Sequence, residues 1–229
     1  MRYTVDAAVF ALNPDLKFGI LIGNNLKNSE TLPEDEARLR AAEKRMGETF
    51  KADQVREWIN VALYRDVMNK AGINPNKFPP SVEAMFKRIL KGGSLPVINA
   101  LVDLCNAVSI EQCISLGAHD LTDIKDDLAV CFSQNGDVFL PFGATEYETV
   151  EPGELVFTSG NTVQTRKWIW RQSELGKTTI QSKDIFFQLV GFDVSLTKAM
   201  EDIETLVNTR FGGSCRKYVV DSGHRSIDF

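Results

Sequence analysis

The sequence has few of the residues from which metal sites and nucleophilic sites are usually built. Only two histidines occur among 229 residues and no His-Glu-x-x-His segment is present, so a zinc enzyme would need an unusual set of ligands. The Gly-x-Ser-x-Gly segment that presents the nucleophilic serine of many hydrolases is absent as well. We therefore expect no metal, no cofactor and no serine nucleophile.

Long apolar runs and paired cysteines are also absent. The longest apolar stretches, such as 7–12 and 186–190, are far shorter than the roughly 20 residues that a membrane-spanning helix needs. An acidic residue, Asp6, stands where a signal peptide would need its apolar region. The four cysteines show no Cys-x-x-Cys spacing, which is typical of reduced thiols in a cytosol. The sequence therefore predicts a cytoplasmic protein without a membrane partner.

The overall charge is acidic. The chain has 26 basic and 31 acidic residues, which gives a formal net charge of −5. A protein that coats nucleic acid through its overall charge is basic, so this balance predicts no DNA partner. Contact with RNA through a small basic patch remains open.

The first half of the chain has helical periodicity. No repeat or linker divides the sequence, and we predict one domain over residues 1–229. Ser81 is the expected cap of one helix, and Pro96 is expected to open the next. Helices are predicted over 34–50, 55–67, 81–90 and 97–108, after strands at 3–12 and 17–22.

From about residue 114 the pattern changes to short apolar runs. They are separated by turn signals such as Asn135-Gly136, which are typical of hairpins. The predicted strands cover 129–132, 138–140, 155–157, 168–170 and 185–190. A last amphipathic helix carries Val194, Met200, Ile203 and Val207, and a tail follows. Helices followed by clustered strands are typical of an α+β fold.

Four segments follow one another in a recognisable order. Residues 81–106 read SVEAMFKRILKGGSLPVINALVDLCN, residues 116–121 read LGAHDL, and GELVF and WIWR occupy 153–157 and 168–171. The first two resemble the B3/4 domain of the bacterial phenylalanyl-tRNA synthetase β subunit, which has a basic helix, a Pro-Ile-Asn-Asn-x-Val-Asp-x-Thr-Asn run and a Leu-His-Ala-Phe-Asp segment. The last two resemble free-standing B3/4 proteins. The resemblance covers about residues 55–210.

This resemblance implies both a fold and an activity. B3/4 domains have an α+β fold in which a β-sandwich is flanked by helices. In the synthetase this domain is the editing site, which hydrolyses the ester between a wrong amino acid and the tRNA 3′ end, and stand-alone relatives do so in trans. The implied partner is the acceptor end of tRNA. An aminoacyl ester is already activated, so a positioned water and a polarised carbonyl can suffice without a nucleophile.

The alignment with the family implies the residues of the site. The family's editing histidine corresponds to Gly117, and His119 follows two residues later. The glutamate that selects against tyrosine corresponds to Gln188, whereas Asn106 keeps the family's residue. We therefore predict His119 and Asn106 as catalytic residues, with Gly117 and Gln188 in contact with substrate. Because Gln188 replaces a carboxylate by an amide, the resemblance does not carry over the choice of amino acid.

Two further residues complete the predicted substrate site. Asp120 follows His119, and a carboxylate beside a histidine can hold the ring in one tautomer; alternatively, this histidine caps or packs at a helix start. In a strand over Trp168 and Trp170, Arg171 would lie on the opposite face from both tryptophans. There it could bind a phosphate or a carboxylate, or form a structural salt bridge.

Three functions remain open from the sequence. The leading hypothesis is a trans-acting aminoacyl-tRNA deacylase, with Lys87, Arg88 and Lys91 as contacts to tRNA, although a charge run on a helix is usually a solvated face. The second is a non-catalytic tRNA- or protein-binding module, which the changes at Gly117 and Gln188 motivate. The third is a binder of a free amino acid or analogue, which the acidic composition favours.

Overall fold

The computed structural model describes all 229 residues. The strands are β1 Arg2–Val5, β2 Lys17–Asn24, β3 Ser115–Asp120, β4 Leu128–Phe132, β5 Val138–Phe139, β6 Glu148–Thr149, β7 Leu155–Ser159, β8 Thr162–Arg166, β9 Arg171–Gln172, β10 Ile185–Gly191, β11 Ser214–Val220 and β12 Ser226–Asp228. The helices are α1 Ala7–Leu12, α2 Pro33–Thr49, α3 Ile59–Lys70, α4 Ser81–Leu90, α5 Ala100–Gln112 and α6 Val194–Thr209. None of these helices is both long and apolar enough to cross a membrane.

The strands form two sheets. The larger sheet has the spatial order β12-β1-β4-β7-β8-β5-β6, and β9 pairs with β8 at its side. The smaller sheet has the order β11-β2-β10-β3. Aromatic rings join the two inner faces: Tyr3 of β1 lies 5.4 Å from Phe186 of β10, and Phe157 of β7 stacks on Phe186 at 5.7 Å between ring centroids. The predicted α+β fold with sandwich-like strands flanked by helices is therefore confirmed.

Strand β10 is buried on both faces, and its side chains alternate between two environments. Ile185, Phe187 and Leu189 pack in one apolar cluster with residues of α5 and α6. Phe186 and Gln188 point the other way, toward the larger sheet, because successive side chains of a strand point to opposite faces. This alternation places the amide of Gln188 between the two sheets.

Two predicted boundaries are wrong because a side-chain cap starts a helix, and one predicted cap residue is wrong as well. The strand predicted over 3–12 ends at Val5, because the carboxylate of Asp6 accepts from the Ala8 amide and starts α1. The helix predicted from 97 begins at Ala100, where the side chain of Asn99 provides the cap by accepting from the Val102 amide. Ser81 is the first residue of α4 and not its cap.

The region 168–170 is a turn, which corrects the prediction of a strand. Lys167 and Trp168 have φ values of 50° and 66°, in the left-handed region, so the chain turns between β8 and β9. The alternation argument for Arg171 therefore does not apply. The predicted tail is also structured, because β11 and β12 each add a strand at the side of a sheet.

A buried carboxylate fixes the start of α4 against its neighbours. Glu83 is fully buried, and its oxygens lie 3.0 Å from Nη1 of Arg65, 2.5 Å from Nζ of Lys87 and 3.9 Å from Nε of Arg56. A buried carboxylate is tolerated only when charge partners of this kind offset its lost hydration. The cluster holds the first turn of α4, which begins at Ser81.

We expect Glu83→Gln to lower the free energy of unfolding by about 3 kcal/mol, because it leaves partly buried cations without their anion. Glu48→Gln is the control: its carboxylate lies 3.8 Å from Lys44 and both side chains are exposed, so a change below about 0.5 kcal/mol is expected. Urea denaturation of both variants measures the difference. Equal losses would contradict the structural role of Glu83.

Candidate active site

A cavity of about 80 Å³ lies where β3 and β10 face the turn between β8 and β9. Its volume has room for several water molecules. It brings together four of the predicted substrate and catalytic positions: Gly117, His119, Arg171 and Gln188. The other lining residues are Ser81, Ser115, Leu116, Thr165, Trp168, Ile169, Trp170, Gln172 and Val190. We call this space the inner cavity.

His119 lies in the middle of the sandwich and not at a helix start. Its side chain is on β3, its residue is 1% exposed, and its ring meets Phe157 edge-on at 5.0 Å. Burial lowers the pKa of His119 to about 4, because the cation would lose its hydration. The imidazole is therefore neutral at pH 7, which makes it a weak base.

The side-chain amide of Gln172 determines the tautomer of His119. Nε2 of Gln172 donates to the carbonyl oxygens of Ala118 at 3.1 Å and of Gly176 at 3.3 Å, which fixes the nitrogen on that side of the amide. The same nitrogen lies 3.4 Å from Nδ1 of His119. An amide nitrogen does not accept a hydrogen bond, so this contact favours the tautomer in which Nδ1 is unprotonated and Nε2 carries the proton. The partner that orients His119 is thus Gln172 and not Asp120.

Because the imidazole of His119 is buried in its neutral form, we expect the stability of the protein to fall at acidic pH. A histidine in an unfolded chain has a pKa near 6.5. Below that pH the unfolded state binds a proton at His119, whereas the folded state does not, and this difference favours unfolding. The stability that comes from burying a neutral His119 is fully present above about pH 6.5. It is lost as the pH falls toward about 4, the pKa of His119 in the folded protein.

We expect wild type to lose about 2 kcal/mol more than His119→Gln in unfolding free energy between pH 7.5 and pH 5. Urea denaturation at the two pH values gives this difference. His224→Gln is the control, because the side chain of His224 is 87% exposed. Equal pH dependence of wild type and His119→Gln would show that His119 is not buried as a neutral ring.

Gln188 is held by one end of its amide. Its Oε1 accepts a hydrogen bond of 2.9 Å from the hydroxyl of Tyr3, and both side chains are buried. No protein atom accepts from its Nε2, which remains a free donor. In the ladder between β10 and β3, Gln188 lies opposite Gly117. The absent side chain of Gly117 therefore leaves the amide of Gln188 uncovered on that side.

Two buried polar atoms near the inner cavity have no hydrogen-bond partner. The indole Nε1 of Trp168, a residue of the cavity wall, is buried without an acceptor. Oε1 of Gln164 is buried without a donor, and it lies 3.1 Å from the position that a Cβ of Gly176 would take. Unpartnered buried polar groups are rare because each costs about 1–3 kcal/mol. The indole of Trp168 therefore gives the wall of the inner cavity an unused hydrogen-bond donor.

Asp120 points away from the inner cavity. Its carboxylate accepts a hydrogen bond from the hydroxyl of Ser182 and one of 2.9 Å from the amide of Thr122. The chain alternates along β3, so Asp120 lies on the opposite face from His119. Through its bond to Ser182, Asp120 stabilises the loop that leads to β10.

Asn106 lines a second cavity of about 200 Å³ on the other face of β3, which we call the outer cavity. Both cavities share Leu116, Gly117 and Gln172, so only the edge of β3 and one side chain separate them. The remaining residues of the outer cavity are Ile98, Val102, Cys105, Ala118, Phe142, Lys177 and Thr178. Asn106 is thus near the predicted site but not in the same space as His119.

The predicted tRNA-contacting residues lie at the far end of α4. Lys87 is paired with Glu83, and Nε of Arg88 donates to the carbonyl of Ser94 at 2.6 Å, whereas Lys91 is exposed. The rise of an α-helix puts Lys91 about 15 Å along the axis from Ser81, which lines the inner cavity. The structure does not bring these cations to the cavity itself.

Sequence reasoning missed several residues of the site. Tyr3 and Gln172 hold the two central side chains, yet Tyr3 is 185 residues from its partner Gln188. Nothing in the local pattern of either residue signals that partnership. Trp168, which the sequence placed in a strand, is completely buried in the structure.

The geometry defines a two-sheet α+β domain with a polar cavity between its sheets. A family model described as "B3/4 domain" matches residues 63–222, more than two thirds of the chain. The protein therefore belongs to the B3/4 domain family, and the predicted resemblance is confirmed.

Comparison with solved structures gives a distant match. An N-terminal fragment of the phenylalanyl-tRNA synthetase β subunit from Pyrococcus horikoshii matches with 12% sequence identity and a TM-score of 0.42. The match covers 93% of this chain and 50% of that one, so this chain spans about half the length of the fragment. No curated protein matches the sequence at a significant level.

Proposed function

We propose that this protein is an aminoacyl-tRNA deacylase, which hydrolyses the ester of a mischarged tRNA in trans. The observation that carries the proposal is the inner cavity, because it joins Gly117 and Gln188, two positions that correspond to the family's editing site, with the imidazole of His119. Membership of the B3/4 family supports the same activity. The cavity has an apolar wall and free hydrogen-bonding groups, which suits the side chain of an amino acid.

The proposed chemistry needs a water and no nucleophilic side chain. Nε2–H of His119 holds a water by donating to one lone pair of its oxygen, and the other lone pair attacks the ester carbonyl carbon. The bond from that carbon to the ribose oxygen breaks, and the proton of the water passes to the departing ribose oxygen. The products are a free amino acid and tRNA with its terminal hydroxyl restored. Positioning of this kind supplies much of a hydrolytic rate enhancement.

Gln188 is the proposed selector for the side chain of the amino acid. Its Oε1 is engaged by Tyr3, so only its Nε2–H group is free to bind a substrate atom. A site built around an unpaired donor favours a side chain that supplies an acceptor and rejects one that leaves the donor buried and unpaired. The selected amino acid is therefore expected to have an acceptor near the end of its side chain.

The proposed contact for the terminal base is Phe142, at the rim of the outer cavity. Its ring is 59% exposed, and Nζ of Lys177 lies 5.8 Å from the ring centroid. We expect Phe142→Ala to weaken tRNA binding about 10-fold, since stacking of one base contributes about 1–3 kcal/mol. Tyr147→Ala is the control: Tyr147 is 53% exposed and lines neither cavity. Equal losses in a filter-binding titration would contradict the contact.

A panel of tRNAs, each charged with a non-cognate labelled amino acid, tests the proposed function. Release of the label by the protein, well above the spontaneous rate for at least one member, is the expected result. If no member is hydrolysed faster than in buffer, the proposed function is wrong. Salt-dependent tRNA binding without hydrolysis would instead support a non-catalytic binding module.

One observation favours a second function, the binding of a free amino acid. The inner cavity is small, and its only imidazole has a pKa of about 4 and no carboxylate partner. Such a group binds a neutral or polar atom well but removes a proton poorly. Calorimetry that detects a free amino acid but no tRNA would support this function over the deacylase.

A further inference from the structure

The outer edge of β3 has main-chain groups without partners. Strand β3 pairs only with β10, and its other edge borders the two cavities. The Leu121 amide donates to Asp184 across the ladder, whereas the Asp120 amide donates outward to Gly176. In an antiparallel pair, the backbone N–H and C=O groups of successive residues point alternately toward the partner strand and away from it. Gly117 and His119 therefore bond to β10, whereas Leu116 and Ala118 direct their N–H and C=O groups outward.

Only three of these outward groups are free. The groups of Ile114 are used by Ser109, and the carbonyl of Ala118 accepts from Gln172 and Thr178. This leaves the N–H and C=O of Leu116 and the N–H of Ala118. The free stretch is bounded on both sides by satisfied residues, so it has room for one amino-acid residue and not for a peptide strand.

We propose that this edge binds the main-chain atoms of the substrate's amino acid, as one residue of a parallel ladder opposite Gly117. This inference rests on the proposed function. In a parallel pair, a residue donates to the carbonyl before its partner and accepts from the amide after it. The α-ammonium group therefore donates to the carbonyl of Leu116, and the ester carbonyl accepts from the amide of Ala118.

The face on which the substrate's side chain lies follows from the same pairing. Paired residues of a sheet direct their side chains to the same face, and that of Gly117 and His119 borders the inner cavity. A Cβ at position 117 would lie 3.0 Å from Nε2 of His119, so the ring leans over the glycine. The substrate's side chain would enter the space above Gly117, toward Gln188 beyond it.

This arrangement also assigns the group that polarises the ester. The plane of a paired carbonyl lies nearly in its sheet, so one face of the ester carbonyl is turned toward the inner cavity. A water held by Nε2 of His119 approaches that face, while the amide of Ala118 donates to the oxygen on which negative charge develops. A fixed backbone donor at such an oxygen is a common source of rate enhancement.

Titration of the 15N-labelled full chain tests the edge directly. The probes are non-hydrolysable L-aminoacyl adenosines in which an amide replaces the ester, one for each amino acid of the panel. We expect at least one probe to shift the Ala118 amide proton downfield as its hydrogen bond forms. A probe that shifts the indole N–H signal of Trp168 but leaves the Ala118 amide unmoved would overturn the inference and leave the proposed function standing.

A matched pair of proline variants provides the second readout. Proline at an outward position of an edge strand removes no ladder hydrogen bond, so it deletes a single outward N–H group. Ala118→Pro removes the donor that the inference uses and is expected to weaken probe binding at least about 10-fold. The control is Val219→Pro at an outward position of β11, the opposite edge strand of the same sheet: Val219 is 48% exposed and lines neither cavity, so probe binding should stay within about 3-fold. Equal affinities would overturn the inference. Hydrolysis of no mischarged tRNA would instead overturn the proposed function, whatever the Ala118 amide does.

Discussion

Gly117→Val is expected to lower kcat/KM for deacylation at least about 100-fold while the protein remains folded. Valine suits a strand, but its branched side chain would occupy the space above position 117, between His119 and Gln188. A substrate displaced by about 1 Å from its productive position loses a factor of this size. Rates on the best substrate of the panel, with circular dichroism as a check of folding, measure the effect.

The control for this variant is Gly47→Ala. Gly47 lies in α2, and a Cβ there would meet no atom within 4 Å. The substitution should leave the rate unchanged and raise helix stability slightly, because alanine is the better helix former. Gly117→Ala is expected to fall between wild type and Gly117→Val, since its single methyl needs only a small shift of His119. A rate unaffected by valine would place the reaction outside the inner cavity.

His119→Ala is expected to lower kcat/KM about 100- to 1000-fold, because it removes the only imidazole that faces the space above Gly117. The pH dependence separates positioning of water from general-base catalysis. With a pKa of about 4, His119 stays neutral through pH 5.5–8, so the rate should show no step near pH 6.5. A step there that disappears in His119→Ala would mean that the ring titrates as an ordinary base.

Asn106→Ala provides a graded comparison with His119→Ala. Asn106 lines the outer cavity, on the other face of β3, so we expect a smaller loss of about 10-fold through the position of the tRNA end. His224→Ala, at an exposed histidine far along the chain, should leave the rate unchanged. Unchanged rates in both His119→Ala and Asn106→Ala would mean that the site lies elsewhere.

Periodicity is sufficient to predict a helix or strand where the pattern of buried residues within the segment itself is clear. The runs at 17–22 and 185–190 became the two central strands of the smaller sheet, and α2 agrees with its predicted range within one residue at each end. These segments are long and have one consistent pattern, so tertiary contacts reinforce the local preference. The resemblance to the B3/4 family then supplied the sandwich and the positions of Gly117 and Gln188.

Other elements depend on contacts that no local pattern contains. The apolar residues Trp168, Ile169 and Trp170 look like a strand, but left-handed backbone at Lys167 and Trp168 turns the chain into the cavity wall. Strand β11 was missed because most of its side chains are exposed, as befits the edge of a sheet.

Part of the candidate site could be predicted from the sequence. Four of the predicted positions, Gly117, His119, Arg171 and Gln188, line one cavity. The partners that give them their chemistry are distant in sequence: Tyr3 engages Gln188, and Gln172 sets the tautomer of His119. The sequence predicts Asp120 as the partner of His119 because the two residues are adjacent. In a strand, however, adjacent side chains point to opposite faces, so Asp120 lies on the other face of β3.

Single-turnover release of the amino acid from mischarged tRNA, measured for wild type and Gly117→Val side by side, tests the central claim most directly. Our account predicts that wild type releases the amino acid of at least one panel member far faster than buffer alone. It also predicts that Gly117→Val, although folded, releases it at nearly the spontaneous rate. Equal release by the two proteins, or release by neither, would contradict a hydrolytic site above Gly117.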